Sequence, residues 1–382
     1  PQLRFEGFTD DWEERKLGDV GDTFTGLTGK TKEDFGHGSA KFVTYVNVFQ
    51  NPIATLDQLD AVEIDEKQNQ VQKGDVFFTT SSETPEEVGM SSVWIYDTKN
   101  VYLNSFTFGY RPRVSFDLNY MASMLRSPSI RKKITFLAQG ISRYNISKTK
   151  MLEIEIPAPN LSEQKKIGSF FKLLDDTIAL HQRKLDLLKE QKKGYLQKMF
   201  PKNGAKVPEL RFAGFADDWE ERKLGDILSE RNDQMPETNE YPLMSFVQGK
   251  GVTPKGERYN RSFLVKDSEK KYKKTKLGDF IYSSNNLETG SIGFNRTGKA
   301  VISPVYSIFE SKKARESLFI GIMSARKDFI SEMVRFRQGV VYGQWRIHES
   351  DFLNINIKIP NDKEQHLIIS LFESIDNTIA LH

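Results

Sequence analysis

A long helical repeat of apolar residues constrains the fold of this chain more than any other feature. Apolar side chains recur every three or four residues, and the pattern includes polar residues only at His181 and Lys192. Its other members are Ile167, Phe171, Leu174, Ile178, Leu185, Leu188, Tyr195 and Met199. This spacing is typical of a coiled coil. No proline lies between Asn160 and Phe200, so we predict one helix of about 37 residues, about 55 Å long at 1.5 Å per residue.

The same pattern begins again near the C-terminal end. Residues 152–181 (LEIEIPAPNLSEQKKIGSFFKLLDDTIALH) correspond to residues 353–382 (LNINIKIPNDKEQHLIISLFESIDNTIALH). We call the positions of this pattern the seam. In the second copy the seam residues are Ile368, Phe372, Ile375, Ile379 and His382. Nothing in the second copy corresponds to residues 182–200. We therefore expect either that the intact protein continues with such a segment or that the chain is a truncation.

The first twenty residues are also repeated. PQLRFEGFTDDWEERKLGDV returns from Pro208 as PELRFAGFADDWEERKLGDI, identical at sixteen of twenty positions. A match of this length indicates an internal duplication. The element at 12–17 is either a helix with a capping box at Asp11 and Glu14 or a short strand.

The repeats divide the chain into five parts. We predict an α/β (α+β) domain at 1–159, a central helix at 160–200, a linker at 201–207, a second domain at 208–360, and the start of a second helix at 361–382. In the first domain, residues rich in β-branched and aromatic side chains predict strands at Phe42–Val48, Val76–Thr80, Val93–Tyr96 and Val101–Tyr110. Residues Asn119–Ala138 have helical spacing, and Pro128 should split that helix.

Connectivity then predicts how the helices meet. The first helix leads from the first domain to the second, so the second helix can pack along the first only by running back. We expect an antiparallel pair, with the two halves in a pseudo-twofold arrangement.

Composition excludes several classes of protein. The chain has no cysteine, and its five histidines show no metal-ligand spacing, so we expect no disulfide and no metal site. No apolar run approaches 18 residues, so we expect a soluble, cytoplasmic protein. The net charge is only +3, but residues 118–152 hold seven Lys or Arg and no acid, and residues 250–276 hold ten against three acids.

Catalytic motifs are incomplete. Gly29, Lys30 and Thr31 resemble part of a phosphate-binding loop, but Phe24 stands where that motif needs glycine. No nucleotide-binding glycine pattern follows a strand, and residues 51–54 (NPIA) lack the second proline and aromatic residue of an amino-methyltransferase site. We therefore expect a non-catalytic chain.

The remaining polar, basic and aromatic residues suit DNA binding. Equivalent Gln-Gly pairs precede one candidate loop in each half, and equivalent Gly-Asp pairs precede a strand and a second candidate loop. Arginine can bind guanine, asparagine and glutamine can bind adenine, and aromatic rings can stack on bases or pack on thymine methyl groups. The candidates are Arg143, Tyr144, Asn145, Tyr342, Gln344, Trp345 and Arg346 after the Gln-Gly pairs, and Ser81, Ser82, Thr84, Ser284, Asn285 and Asn286 after the Gly-Asp strands.

Lysines of the basic stretches, together with Lys30 and Lys32, are candidate phosphate contacts, which position a protein on DNA without specifying sequence. They are Lys30, Lys32, Lys132, Lys133, Lys250, Lys271 and Lys273. Alternatively, the aromatic residues are buried, the polar residues end strands, and the lysines form a solvated surface.

With these motifs in place, the whole chain resembles a specificity subunit of a type I restriction-modification system. The resemblance rests on the Trp-Glu-Glu-Arg-Lys-Leu-Gly-Asp openings at Trp12 and Trp219, the Gly-Asp pairs at Gly74 and Gly278, the Glu-Gln helix starts at Glu163 and Glu364, and the Asp-x-Thr-Ile-Ala-Leu-His segments at Asp175 and Asp376.

The resemblance implies two target-recognition domains on antiparallel helices, each domain reading one half of a bipartite double-stranded DNA target. It also implies that chemistry belongs to partners: two modification subunits that use S-adenosylmethionine, and ATP- and Mg-dependent restriction subunits. Two other hypotheses stay open: a self-sufficient DNA methyltransferase or endonuclease, and a coiled-coil adaptor between proteins.

Overall fold

The computed structural model describes residues 3–202, 204–247, 251–254, 270–285, 287, 291–313, 315–340 and 344–382. Two compact units divide the chain, Pro1–Leu180 and His181–His382. Both combine helices with mostly antiparallel sheets, which confirms the predicted α+β class.

The described residues of unit 1 form eleven strands and begin the long helix. The strands are β1 (Glu13–Lys16), β2 (Gly21–Thr25), β3 (Phe35–Val43), β4 (Leu59–Val62), β5 (Val76–Thr79), β6 (Ser81–Ser82), β7 (Ser91–Val93), β8 (Val101–Leu103), β9 (Thr107–Pro112), β10 (Tyr144–Asn145) and β11 (Glu155–Ala158). The helices are α1 (Leu17–Val20), α2 (Tyr45–Gln50), α3 (Leu118–Leu125), α4 (Pro128–Leu137), α5 (Lys148–Leu152) and α6 (Leu161–Lys198), which continues into unit 2.

The central sheet of unit 1 has the order β2-β9-β5-β7, and a second sheet has the order β4-β3-β8. The first sheet packs against α3 and α4 through a core that includes Phe78, Phe108, Tyr120 and Ile134. Two short pairs, β1 with β11 and β6 with β10, complete the unit.

Unit 2 repeats this plan. Its described strands are β12 (Glu220–Lys223), β13 (Leu228–Glu230), β14 (Gln234–Met235), β15 (Met244–Val247), β16 (Gly251–Pro254), β17 (Tyr272–Thr275), β18 (Phe280–Tyr282), β19 (Ile292–Phe294), β20 (Ala300–Ile302), β21 (Ser307–Ser311), β22 (Gln338–Val340), β23 (Gln344–Arg346) and β24 (Asn356–Ile359). Its helices are α7 (Leu224–Ile227), α8 (Glu316–Met323), α9 (Lys327–Val334), α10 (Glu349–Leu353) and α11 (Asp362–Leu381).

The sheet order β13-β21-β18-β19 in unit 2 matches β2-β9-β5-β7 in unit 1. Three aromatic rings pack together in the core of unit 2. The ring centroid of Phe352 lies 4.7 Å from that of Phe309 and 5.0 Å from that of Tyr282. The duplicated sequence therefore folds into two units with the same central sheet.

The repeated opening forms a strand. Residues Glu13–Lys16 pair antiparallel with Glu155–Ala158, and the second copy, Glu220–Lys223, pairs with Asn356–Ile359. Each opening thus pairs with the strand that immediately precedes a long helix. Of the two alternatives for residues 12–17, the strand is therefore correct.

Both long helices begin in the same way. The side chain of Asn160 accepts a hydrogen bond from the Glu163 amide at 2.9 Å, and Asn361 accepts one from the Glu364 amide at 3.0 Å. An asparagine at this position satisfies an amide that the first helical turn leaves unpaired. α6 contains 38 residues, which confirms the predicted single long helix.

Within unit 2, the second half of α6 lies along α11. The rings of His181 and His382 are 5.4 Å apart, Lys192 forms an ion pair with Asp376, and the Phe200 and Phe372 rings are 6.4 Å apart. Residue numbers rise along α6 while they fall along α11, so the two helices are antiparallel, as predicted.

Three strand predictions were partly wrong. The strand predicted at Phe42–Val48 ends at Val43, because the Thr44 hydroxyl accepts the Asn47 amide at 3.2 Å and begins α2. The strand predicted at Val93–Tyr96 ends at Val93.

The third of these predictions, Val101–Tyr110, covers two strands, β8 and β9. Asn104 separates them, since its side chain donates to the Val43 carbonyl and accepts the Phe106 amide, both at 2.9 Å. The helical prediction for Asn119–Ala138 is confirmed, with Pro128 in the first turn of α4.

Candidate nucleic-acid interface

Two of the predicted loops in unit 1 meet as a short antiparallel sheet. Ser81 lies opposite Asn145 and Ser82 opposite Tyr144. The Ile146 amide then donates to the Thr80 carbonyl at 3.0 Å. We call residues 80–82 and 144–146 the first loop pair, which joins segments about sixty residues apart in the chain.

Two residues that the sequence did not single out complete this surface. The Tyr45 hydroxyl donates to the Ser81 carbonyl at 3.1 Å, and the Ser82 hydroxyl donates to Glu87 at 2.9 Å. Burial raises the pKa of Tyr45, so this hydroxyl keeps its proton and remains a donor. A carboxylate such as Glu87 can accept a hydrogen bond from a cytosine amino group.

The equivalent segments of unit 2 also meet. The side chain of Asn285 accepts the Trp345 amide at 2.7 Å, and the Ser284 hydroxyl accepts the Ile347 amide at 3.0 Å. We call residues 284–285 and 345–347 the second loop pair. Because Ile146 and Ile347 occupy equivalent places in the two repeats, the two loop pairs are structural counterparts.

Trp345 is the most prominent aromatic group of the second loop pair. Its side chain is 48% exposed, and the Arg337 guanidinium lies 5.7 Å from the ring centroid. The neighbouring Arg346 is exposed, 3.6 Å from the Glu349 carboxylate. An exposed tryptophan can pack against a base, and the two arginines beside it can bind the neighbouring DNA phosphates.

Other predicted residues are exposed or lie outside the described part of the chain. Lys250, Asn286 and Tyr342 lie outside the described residues, as does the side chain of Gln344. Thr84 is exposed in the turn after the first loop pair, and Arg143 is exposed just before Tyr144.

The predicted lysines differ in accessibility. Lys32, Lys132 and Lys271 are exposed. Lys133 is exposed as well, and its ammonium donates to the Glu155 carbonyl at 2.9 Å.

Lys30 and Lys273 are less available to a phosphate than the other predicted lysines that the structure describes. Lys30 forms a 3.0 Å ion pair with Asp65, its side chain is only 14% exposed, and the pair raises the pKa of the lysine. Lys273 is 8% exposed on the middle strand of the β14-β17-β20 sheet. We therefore leave both out of the proposed interface.

Two arginines of the basic stretch in unit 1 are hydrogen-bonded to backbone carbonyls and are therefore less available to DNA. Arg126 donates to the carbonyls of residues 48–50 and 91, and burial, with repulsion from Arg131 as a smaller cause, lowers its pKa to about 10. Arg131 donates to the carbonyls of residues 86, 88 and 89, and burial lowers its pKa too. The positive charge that remains accessible is therefore smaller than the sequence count.

The residues predicted to pair the helices lie in several environments. In unit 1, Ile167 packs against the core, whereas Phe171, Leu174 and Ile178 are 42%, 40% and 66% exposed. In unit 2, His181 contacts His382, and Leu185 and Leu188 are half-buried.

Their counterparts on α11 are more deeply buried. Ile368, Phe372 and Ile375 are at most 7% exposed, and Ile379 is half-buried. Ile368 and Phe372 belong to the same core cluster as Phe200. The two copies of the seam therefore have different surroundings.

A cleft of about 820 Å³ in unit 2 lies beside Gly278 and α11, apart from the predicted interface residues. Two of its arginines pair with carboxylates of the same cleft: Arg231 donates to Asp279 at 2.9 Å, and Arg315 donates to Glu373 at 2.6 Å. Burial raises the pKa of Asp279.

The described part of the chain contains neither a cluster of metal ligands nor a membrane-spanning helix. No cluster of three or more His, Asp or Glu side chains is placed to hold a metal ion among the described residues. No helix in the same residues is long and apolar enough to cross a membrane.

Comparison with known proteins identifies the domain type. The type I restriction modification DNA specificity domain matches twice, at residues 9–190 and 216–382. A Methanocaldococcus jannaschii protein described provisionally as the type I restriction enzyme MjaX specificity subunit is 23% identical, over 97% of this chain and 88% of that one. The type I restriction enzyme MjaVIII specificity subunit of the same organism is also 23% identical, over 84% of this chain and 76% of its own length.

A solved structure has the same fold. The S subunit of the type I restriction-modification system from M. genitalium matches with a TM-score of 0.60 at 14% identity, over 100% of this chain and 93% of that one. The two domain matches cover most of the sequence and confirm the resemblance drawn from its motifs. The chain belongs to the family of type I restriction-modification DNA specificity subunits, and it carries the DNA specificity domain twice.

Proposed function

We propose that each unit reads one half of a bipartite DNA target through its loop pair. One observation supports this most directly: segments that are distant in sequence and rich in DNA-binding side chains are hydrogen-bonded to each other in both units. A two-sided loop pair can place several side chains against the edges of neighbouring bases, which a single loop cannot do as rigidly.

The side chains of the two loop pairs differ, so we propose two different half-targets. The first pair presents the exposed Asn145 and the half-buried Tyr144, which also packs against the core, and the second presents Trp345 and Arg346 beside Asn285. Asparagine binds adenine and arginine binds guanine in bidentate geometry. Unequal readers on one chain suit an asymmetric target.

The proposed role of the long helices is to set the spacing between the half-targets. A helix of 38 residues has no flexible joint if it stays continuous, and the ion pair between Lys192 and Asp376 holds its second half against α11. A change in the length of α6 should therefore change the number of base pairs between the half-targets.

We further propose that the chain is a non-catalytic subunit. Modification subunits, two per chain, would methylate DNA with S-adenosylmethionine, and restriction subunits would supply ATP- and Mg-dependent cleavage. Methyl transfer or cleavage by the purified chain alone, with S-adenosylmethionine or Mg²⁺ supplied, would contradict this assignment.

A domain exchange within the chain tests the modular reading. Residues 21–150 are replaced by residues 228–351, so that both positions carry the second reader. The altered chain is expressed with its modification subunits, and the methylated sequences of the host genome are determined. We expect the first half-target to disappear and the second to occur at both ends of the motif.

The unaltered chain, expressed with the same partners, is the control and defines both half-targets. An altered chain that still directs methylation to the original bipartite motif would show that the units do not read separate halves.

A further inference from the structure

A five-residue loop that leads into the first loop pair is closed at its base by backbone hydrogen bonds. The Gln139 amide donates to the Asn145 carbonyl at 2.9 Å, and the Asn145 amide donates to the Gln139 carbonyl at 2.8 Å. Asn145 is also paired with Ser81. The loop of residues 140–144 is therefore anchored directly to the proposed interface.

Glycine is required at the start of this loop. Gly140 has a φ of +144°, and a Cβ atom at this position would lie 2.0 Å from the Arg143 carbonyl oxygen. No side chain fits at that distance. The backbone thus turns sharply at Gly140, and the Asn145 side chain donates to the same carbonyl at 3.3 Å.

The loop presents an apolar side chain almost entirely to solvent. Ile141 is 95% exposed. An isolated exposed isoleucine is not unusual, but this one projects from a hydrogen-bonded loop whose other flank is the exposed Arg143.

Charge identifies the kind of surface that would cover Ile141. Residues 118–152 contain no acidic residue, Arg143 and Lys132 are exposed, and the carboxylate of Glu87, next to the first loop pair, already accepts a hydrogen bond from Ser82. A negatively charged polymer complements this surface in charge. DNA is such a polymer, and in its major groove each thymine exposes an apolar C5-methyl group that Ile141 could contact.

We propose that Ile141 contacts a thymine methyl group in the half-target read by unit 1, and so helps to specify an A·T pair there. This inference rests on the proposed function of unit 1 as a DNA reader. It adds one specificity-determining residue whose contact is apolar, next to the hydrogen-bonding groups of the first loop pair.

The test combines a protein variant with a DNA analogue. The full chain is assembled with its modification subunits, and its half-targets are defined by selection from random DNA. Each thymine of the first half-target is then replaced by deoxyuridine, which lacks only the methyl group. We expect one replacement to weaken equilibrium binding about fourfold, the factor that corresponds to burial of one methyl group.

The Ile141→Ala variant should bind the thymine DNA about as weakly as the unaltered protein binds the uridine DNA, and it should no longer distinguish the two. Ile141→Val should keep part of the discrimination. The control is Leu3→Ala, which removes a side chain that is 91% exposed outside the loop and should leave the discrimination unchanged.

The outcomes separate this inference from the proposed function. Sequence-specific binding in which Ile141→Ala retains the full preference for thymine over uridine, or a first half-target without an A·T pair, would overturn the inference alone. An assembled complex with no sequence preference at all would overturn the proposed function as well.

Discussion

The guanidinium of Arg4 lies across the carboxylate of Glu163, with Nε 2.7 Å from one oxygen and Nη2 2.8 Å from the other. The glutamate side chain is 1% exposed and that of the arginine 20%. Arg211 and Glu364 repeat the arrangement in unit 2, with both distances at 2.8 Å. Each pair fastens a repeated opening to the first turn of a long helix.

Arg4→Ala should destabilise unit 1 by about 3 kcal/mol, because it leaves the buried Glu163 carboxylate without its partner. Denaturant titration, followed by hydrogen exchange of α6 and β1, measures the loss and locates it. Arg211→Ala is the matched variant and should produce its loss in unit 2. Equal protection of unit 1 amides before and after Arg4→Ala would contradict the assigned role.

The same pair predicts a pH dependence. The hydrogen bonds from Arg4 hold the pKa of Glu163 below its usual value, so the folded state favours the ionised carboxylate. This stabilisation is fully present above the unfolded-state pKa of about 4.3 and is lost as pH falls through the lower folded-state pKa. The stability difference between the unaltered chain and Arg4→Ala should therefore shrink in that acidic range, as measured by denaturant titration at successive pH values.

Asp376→Asn should weaken the contact between α6 and α11 in unit 2. The carboxylate of Asp376 is 18% exposed and pairs with Lys192 and, at 2.8 Å, with Arg296. The loss of two charge-assisted contacts should cost about 2 kcal/mol of unfolding free energy. Asp175→Asn is the control, since Asp175 is the repeat counterpart of Asp376 but is exposed, and it should leave stability unchanged.

Lys132→Ala should weaken DNA binding without altering sequence preference. Lys132 is exposed on α4, so removal of one phosphate contact should reduce the slope of log K against log salt concentration by about 1. The adjacent Arg131 gives the contrast, because it donates to three backbone carbonyls. Arg131→Ala should lower the melting temperature, whereas an unchanged salt slope for Lys132→Ala would exclude that lysine from the interface.

Trp345→Ala should reduce binding at the second half-target by about 10-fold, because loss of one contact to a base pair typically costs on the order of 1–3 kcal/mol. Binding assays with each half-target scrambled in turn separate the two readers. The folded state should be little affected, since about half of the side chain is already exposed. A loss that falls equally on both half-targets would point to a structural role for the tryptophan.

Features that depend on repetition or on local spacing could be predicted from the sequence. The 38-residue helix follows from an apolar pattern without proline, and the antiparallel contact of His181 with His382 follows from connectivity. The equivalence of the loop pairs follows from the duplicated Gln-Gly and Gly-Asp landmarks.

Features that depend on long-range polar contacts could not be predicted. Tyr45 reaches Ser81 because Thr44 begins a helix within a run of residues that favours a strand. Lys30 was predicted to bind phosphate, but Asp65, thirty-five residues later, folds back to pair with it. Neither contact leaves a periodic signal in the sequence.

The ends of each inserted domain meet at one point. The Leu17 amide donates to the Ile154 carbonyl at 3.0 Å, and the Leu224 amide donates to the Ile355 carbonyl at 2.9 Å. The chain therefore enters and leaves each domain through hydrogen-bonded neighbouring residues. A different domain can be placed between these two residues without changing the repeated strands and helices that hold it. Genetic crossover within the near-identical openings would therefore transfer a complete reader, and a new DNA specificity can arise by recombination in a single step.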